Sequence, residues 1–336
     1  MLSRRAVLAG TAGIVLAPSR AMGASAFQAA SAYSAARQGV SLLVMRAGNV
    51  LFADYPNGGS ARAAWELASG TKSFCGLMAA AASQDGLLEL DEKCAKTLPE
   101  WRNDARAQIS LRHLLSLTSG LQGGQIGRAP TYAAAVGAPA LDRPGARFAY
   151  GPGPFQVFGE IMRRKLFAAT GQPNLLDYLE ARILAPAGAS IGRWRRGPDG
   201  QPLMPQGAAF TAENWARFGQ YVLEGAKGTD RAVLRACFEG SAANPGYGLS
   251  WWLLRPGLVG PGPRAGLDGA DGASLADEDV VMAAGAGNQR LYLMRKRGLV
   301  VVRQAKAILA ALQRPSASAE SWSDAEFLHL LIAHGL

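Results

Sequence analysis

The sequence predicts a mixed α/β fold of the α+β kind, with strand-rich ends that share one sheet around a helical middle. Three observations predict it. Residues 41–55, SLLVMRAGNVLFADY, are two apolar strand-forming runs around Ala47-Gly48-Asn49, a hairpin signal. Residues 290–304, RLYLMRKRGLVVVRQ, repeat that pattern about a turn at Lys296–Gly298. Between the two hairpins, to about Cys237, helix formers dominate and are broken by Pro and Gly. In such a chain the first and last strands close one sheet.

The N-terminus reads as an address. Arg4 and Arg5 precede an apolar run from Ala6 to Ala17 and then small residues, the pattern of a secretory signal of the twin-arginine type over residues 1–26. The run is shorter than the ~20 residues that span a bilayer, so no stable membrane span is expected once the signal is cleaved near Gly23–Ala26. Cleavage removes Arg4, Arg5 and Arg20 and leaves a catalytic domain over 27–336, exported to the periplasm or secreted. From Thr71 to Ala82 the residues favour a helix, with SQDG (83–86) as its stop and Gly86 at the C′ position. ISLRHLLSLTSGL (109–121) reads as a short amphipathic helix ending at Gly120. Residues 255–280 are Gly/Pro-rich and then acidic, a long irregular loop of the sort that serves as a lid or a tether. SDAEFLHLLIAHGL (323–336) is a terminal helix with Ser323 as N-cap and Glu326 at N3, a capping box.

The chain's 336 residues suffice for a sizeable core, and 49% hydrophobic with 18% charged residues is a globular composition. The formal charge of +10 raises nucleic acid as a partner. Yet 28 of the 35 basic residues are Arg scattered along the chain, with no basic stripe interleaved with aromatics, so no nucleic-acid partner is expected. The three cysteines, Cys75, Cys94 and Cys237, are odd in number and fit no metal spacing, which makes them core residues of a protein that folds before export. No cofactor and no metal are called for.

ASGTKSF (68–74) carries the chemistry. Ser69 and Lys72, at i and i+3 on a first helical turn, face the same way. A serine hydroxyl becomes a nucleophile when a neighbour takes its proton, and a lysine does so when small apolar surroundings such as Ala68, Gly70, Phe74 and Gly76 disfavour its charge. The helix N-terminus stabilises negative charge developing on the serine oxygen. This is the only Ser-x-x-Lys pair in the chain, though about one is expected by chance. The rival, a Ser-His-Asp triad, has only His113, His329 and His334 to draw on and lacks a G-x-S-x-G elbow at Ser69. His113 reads as a packed or capping residue.

The surroundings extend the signal. LASGTKSFCGLMAAAASQDGLLELDEKCAKTLPEW, then ISLRHLLSLTSGL, FAYGPGPFQVFGEIMRRKL (148–166), PQGAAFTAENWARFGQYVL (205–223), NPGYGLSWW (244–252) and AAGAGNQRLYLMRKRGLVVVR (283–303) follow one another in order. The sequence resembles the serine hydrolases of the class C β-lactamase and penicillin-binding-protein superfamily over nearly the whole mature chain. The resemblance implies an antiparallel sheet with N- and C-terminal helices beside an inserted helical subdomain, roughly 87–243, with the site between them. It implies Ser69 as nucleophile, Lys72 as its proton partner and Tyr150 as the phenol that relays protons to the leaving group. The backbone N–H groups of Ser69 and Ala286 match an oxyanion hole.

Two departures stand out. Pro152 sits where the family carries Asn two residues after Tyr150, and Ala283-Ala284-Gly285 replaces a Lys- or His-Thr/Ser-Gly motif. Those side chains hold the amide and carboxylate of β-lactams in the family, so antibiotic recognition looks lost while the acyl chemistry stays. Pro152, Gly285, Gly287, Arg290 and Trp251 are candidate substrate contacts, and Arg290 or an arginine of GRWRR (192–196) is a candidate replacement anchor. The expected function is hydrolysis of a small-molecule ester or amide through an acyl-Ser69 intermediate, esterase-like in character. The alternatives are a β-lactamase or D-Ala-D-Ala carboxypeptidase, and a non-catalytic penicillin-binding or sensor protein. The acyl and leaving groups and the oligomeric state are not legible.

Overall fold

The first hairpin of the chain turns where its residues require it. Ala47 and Gly48 both take positive φ, +48° and +77°, the mirror-image turn whose twist matches paired strands. They join β1 (Gly39–Arg46) to β2 (Asn49–Asp54). The computed structural model describes residues 19–258, 260, 261, 267, 273–306 and 322–333. The expected signal residues 1–18 and most of the glycine-rich part of loop 255–280 lie outside them, while residues 19–26 belong to helix α1 (Ser19–Ala36).

Near the C-terminus, β6 (Trp252–Leu254), β7 (Val280–Gly285), β8 (Gln289–Met294) and β9 (Leu299–Ala305) complete a six-stranded sheet ordered β2-β1-β9-β8-β7-β6. Every pairing is antiparallel, and β1 pairs with β9 from Gly39↔Ala305 to Arg46↔Leu299. The first and last strands thus share one sheet, as the order of elements predicts. β7, β8 and β9 are buried along their whole length, so both faces of the sheet are covered. This explains why these strands read as apolar runs without alternation.

One face is covered by the chain ends. Phe27 of α1 packs on Phe52 with tilted rings, and Tyr33 packs on Trp322 and on Phe327 of the terminal helix α9 (Asp324–Ile332). The Tyr33 hydroxyl accepts from Ser323 N–H at 2.9 Å, and Ser323 Oγ caps α9 by accepting from Glu326 N–H at 3.2 Å. The other face is covered by α7 (Ala212–Leu223), capped by Thr211. At Gly219 a Cβ would come within 2.8 Å of Leu291 and Val300 side chains, so the absent methyl lets α7 seat on the sheet.

The remaining elements form the second lobe around α2 (Ser73–Gln84), whose residues 73–82 are all buried. A helix buried all round is a core element, which suits its run of alanines. The sequence predicts a helix from Thr71, but a 3₁₀ turn, Ala68–Lys72, precedes α2. Gly86 takes φ +70° just past the helix, as its C′ reading requires. Helix α3 (Leu111–Leu115) stops five residues before Gly120, because Leu117 adopts φ +58° and leaves the helical path. Next come α4 (Tyr132–Val136), α5 (Gly153–Thr170), α6 (Leu175–Leu179) and α8 (Arg231–Ala236). Within this helical region the sequence hides a second, three-stranded sheet of β3 (Trp65–Glu66), β5 (Ala208–Phe210) and β4 (Arg193–Trp194). Strands of two or three residues are too short to leave a periodic signature. Cys75, Cys94 and Cys237 are free and buried, and burial pushes all three thiols up, Cys237 to about 12.

Candidate active site

The 3₁₀ turn at Ala68–Lys72 decides the first contact. With three residues per turn, positions i and i+3 eclipse. Lys72 Nζ accordingly lies 2.9 Å from Ser69 Oγ, to which it donates, and it also donates to the carbonyl of Pro205 at 3.1 Å. Lys72 is 3% exposed, whereas Ser69 is half-buried and reachable. Ala68, just before the serine, holds φ +46°, a left-handed conformation that a residue with a Cβ adopts only where its surroundings impose it. Thr71 supplies part of that constraint: its hydroxyl donates to Ala68 O at 2.7 Å and accepts from Ala208 N–H at 3.1 Å.

Tyr150 closes the constellation from the second lobe. Lys72 Nζ lies 4.9 Å from the centroid of the Tyr150 ring and 5.5 Å from that of Phe155. Ala149 N–H donates to Leu117 O at 2.9 Å, and Gly151 packs so closely on Gly123 that a Cβ would stand 2.5 Å from Gly123 O. The Tyr150 ring stacks on Trp252 at 5.7 Å and meets Tyr247 edge-on at 6.4 Å. Phe148 packs on all three rings. Tyr247 is fully buried, its hydroxyl has no partner among the described residues, and burial together with nearby Tyr150 pushes it far above a phenol's ordinary value.

The third wall is the end of β7. β6 pairs only with Val280–Met282, so Ala283–Gly285 keep an edge that β6 leaves open. That open edge faces the serine turn. A Cβ on Gly285 would lie 2.0 Å from Leu67 O and 3.1 Å from Gly70 N, so only glycine permits the approach. Ala286 and Gly287 follow as the half-buried start of the β7–β8 turn.

Two candidate substrate contacts are corrected by the packing. Trp251 is wholly buried between Phe218 and Phe238, and its neighbour Trp252 is the tryptophan beside Tyr150. Arg290 is 4% exposed, and all its donors are committed: to Asp324, to the carbonyls of Gly285 and Gln289, and to Asn288. It therefore has nothing left for a substrate anion. The GRWRR arginines are held less completely, Arg193 by Glu66 at 2.9 Å, Arg195 by Gln206 O at 3.1 Å and Arg196 by Gly200 O at 2.9 Å, with no hydrogen-bond partner for Arg195 Nε among the described residues. Pro152 is buried at the start of α5, with Gly124 beside it. Sequence reasoning missed Trp252, Tyr247, Phe148 and the Pro205 carbonyl. Only the aromatic density of NPGYGLSWW and FAYG hinted at the first three.

His113 caps α3: its Nδ1 accepts from Ser110 N–H at 3.1 Å while Ser110 Oγ accepts from His113 N–H. Burial, with help from Lys93, lowers its pKa. His329 pairs with Ser274 at 3.0 Å, and His334 lies outside the described residues. Two clefts of about 540 and 470 Å³ lie elsewhere, one beside Arg46 and Lys296 and one between Tyr132 and Arg163, and Ser69 lines neither. Among the described residues no helix is long and apolar enough to cross a membrane.

The fold has solved counterparts. EstCE1, a hydrolase with promiscuous acyltransferase activity, superposes with a TM-score of 0.69 at 16% identity, over 95% of this chain and 99% of that one. A β-lactamase from Mycobacterium bovis gives 0.59 at 20% identity, over 85% and 89%. The octameric penicillin-binding protein homologue from Pyrococcus abyssi gives 0.61 at 15% identity, over 86% and 74%. The sequence matches no curated protein. The Beta-lactamase family model matches residues 24–307, from α1 to the end of β9, and the chain therefore belongs to the β-lactamase family.

Proposed function

We propose that the protein is a serine hydrolase that cleaves an ester or amide through an acyl-Ser69 intermediate, with esters of small acyl groups preferred over β-lactams. The observation that carries this reading is the buried Lys72 side-chain nitrogen 2.9 Å from Ser69 Oγ and 4.9 Å from the centroid of the Tyr150 ring. As the free amine, Lys72 takes the proton from Ser69 Oγ while that oxygen bonds to the substrate carbonyl carbon. The N–H groups of Ser69 and Ala286 receive the oxyanion. Tyr150 gives its proton to the departing alkoxide or amine and is restored by Lys72. In deacylation a water loses a proton to the same pair as its oxygen attacks the acyl carbon. The Ser69–acyl bond breaks and Ser69 recovers its proton.

The preference for esters rests on what surrounds this machinery. Ala283 and Ala284 carry neither cation nor hydroxyl, Pro152 carries no carboxamide, and Arg290 is bound to Asp324 at 2.8 Å. A β-lactam carboxylate finds no free cation among these residues. The Arg4-Arg5 pair and the apolar run after it support export as part of the same reading, with the periplasm or medium as the place of action. Mass spectrometry of intact protein exposed to a fluorophosphonate tests the reading. The expected result is one adduct, located on Ser69 and abolished by Ser69→Ala together with p-nitrophenyl ester turnover. An adduct or turnover that survives in the Ala variant overturns it.

A further inference from the structure

The turn that carries Ala286 is held from behind by an arrangement unusual for a protein interior. Arg290 of β8 and Arg303 of β9 lie directly opposite one another across the strand pair, and both are buried, at 4% and 0% exposure. Like charges facing each other across a sheet repel, and buried guanidiniums lose their hydration. One carboxylate serves the pair: Asp324, at the start of α9, binds Arg290 Nε at 2.8 Å and accepts from the Tyr292 hydroxyl and, at 2.9 Å, from Trp322 Nε1. Arg303 has carbonyl and hydroxyl partners instead, and burial, then the Arg290 cation, holds it down at about 9. Hydrophobic residues at such positions generally serve stability as well or better.

Both guanidiniums hold the same turn, and Arg303 also ties it to Ser34 Oγ and the Arg37 carbonyl around the end of α1. Arg290 donates to the carbonyls of Gly285 at 3.2 Å and Gln289 at 3.1 Å, and to Asn288 Oδ1 at 3.3 Å. Arg303 donates to the carbonyls of Gly287 at 2.8 Å and Asn288 at 2.9 Å. The buried Gln289 amide ties the same turn to Ala305 through two hydrogen bonds, at 2.7 and 3.1 Å. The Gly285 carbonyl and the Ala286 N–H belong to one peptide unit. In a planar trans peptide these groups point in opposite directions. A guanidinium fixed on that carbonyl therefore aims the N–H away from the terminal helices. It also draws electron density from the peptide, which strengthens the N–H as a donor.

We propose that Arg290, Arg303 and Asp324 are positioning residues for acyl transfer: from the far side of the sheet they orient and polarise the Gly285–Ala286 peptide whose N–H receives the oxyanion. The inference rests on the acyl-Ser69 reading and adds that the docked terminal helix, through Asp324, belongs to the catalytic apparatus.

The double variant Arg290→Met/Asp324→Asn removes both charges while leaving an acceptor for Tyr292 and Trp322. Three measurements are made on it: thermal unfolding, p-nitrophenyl butyrate kinetics, and the inhibition constant of an alkyl boronic acid, whose tetrahedral serine adduct mimics the oxyanion. The expected outcome is a folded protein whose kcat falls about 10- to 100-fold with KM little changed, part of the 10²–10³-fold loss that follows complete removal of such a donor. Boronate affinity should fall by the same factor as kcat/KM, because both report transition-state binding. Arg290→Lys, which keeps a charge beside Asp324 but cannot span to Gly285 O, should fall between wild type and double variant, and it carries the same comparison if the double variant does not fold. A folded variant with kcat and boronate affinity within twofold of wild type overturns the inference. Failure of Ser69→Ala to abolish turnover would instead overturn the underlying reading, so the two failures are distinguishable.

Discussion

Gly285→Ala is the substitution for which the structure predicts the largest catalytic effect from the smallest chemical change. The new methyl carbon would lie 2.0 Å from Leu67 O and 3.1 Å from Gly70 N, both backbone atoms that no rotamer change can move. Ordinary carbon–oxygen contact is about 3.3–3.6 Å, so the end of β7 and the serine turn must separate by roughly 1.3 Å. A misplacement of that order at reacting groups costs about 10²-fold in rate, and overpacking costs about 1–3 kcal/mol of stability. The expected outcome is therefore a folded but less stable enzyme with kcat for p-nitrophenyl butyrate about 100-fold lower. Gly219→Ala is the control, since its methyl would meet the Leu291 and Val300 side-chain tips at 2.8 Å, between α7 and the sheet. It should lose comparable stability, read from urea unfolding, and keep kcat within a few-fold. A Gly285→Ala protein that folds and retains kcat within threefold of wild type would refute the assignment of this peptide to the oxyanion site.

Three further outcomes are expected. Lys72→Ala and Tyr150→Phe should each lower ester turnover by about 10²-fold or more, and the double variant should fall little further, because residues acting as one unit are not additive; strictly multiplicative losses would separate their roles. Nitrocefin should be turned over weakly or not at all relative to p-nitrophenyl butyrate. The missing carboxylate anchor and carboxamide amount to roughly 2–4 kcal/mol of hydrogen bonding, about 30- to 1,000-fold, and a higher kcat/KM for nitrocefin than for the ester would contradict this. Burial lowers the His113 pKa, so below its unfolded value of about 6.5 the unfolded chain binds more protons and stability falls with pH. His113→Gln keeps a capping side chain but cannot titrate, and urea midpoints at pH 7.5 and 5.5 should differ less in that variant than in wild type. Equal pH dependence in both proteins would remove His113 from the account.

The sequence by itself determined most of the elements and singled out the Ser69–Lys72 pair. Hairpin turns, helix caps and the i, i+3 pair at Ser69 and Lys72 are local, set by neighbours a few residues apart, and the structure reproduces the hairpins, the Ser323 cap and the 2.9 Å Ser69–Lys72 contact. The closure of β1 on β9 was legible too, because strands at both ends of one domain have few other partners. The small β3-β5-β4 sheet was not, since strands of two or three residues carry no period. Nor could a sequence show that Arg290 turns to Asp324, 34 residues away, or that Trp252 and not Trp251 lies beside Tyr150. Adjacent residues on a strand point to opposite faces, and which face meets the site is settled only when the sheet packs. Tertiary structure alone decided that the Arg290 cation serves the protein's own backbone, because the buried Asp324 and the β7–β8 turn take all of its donors.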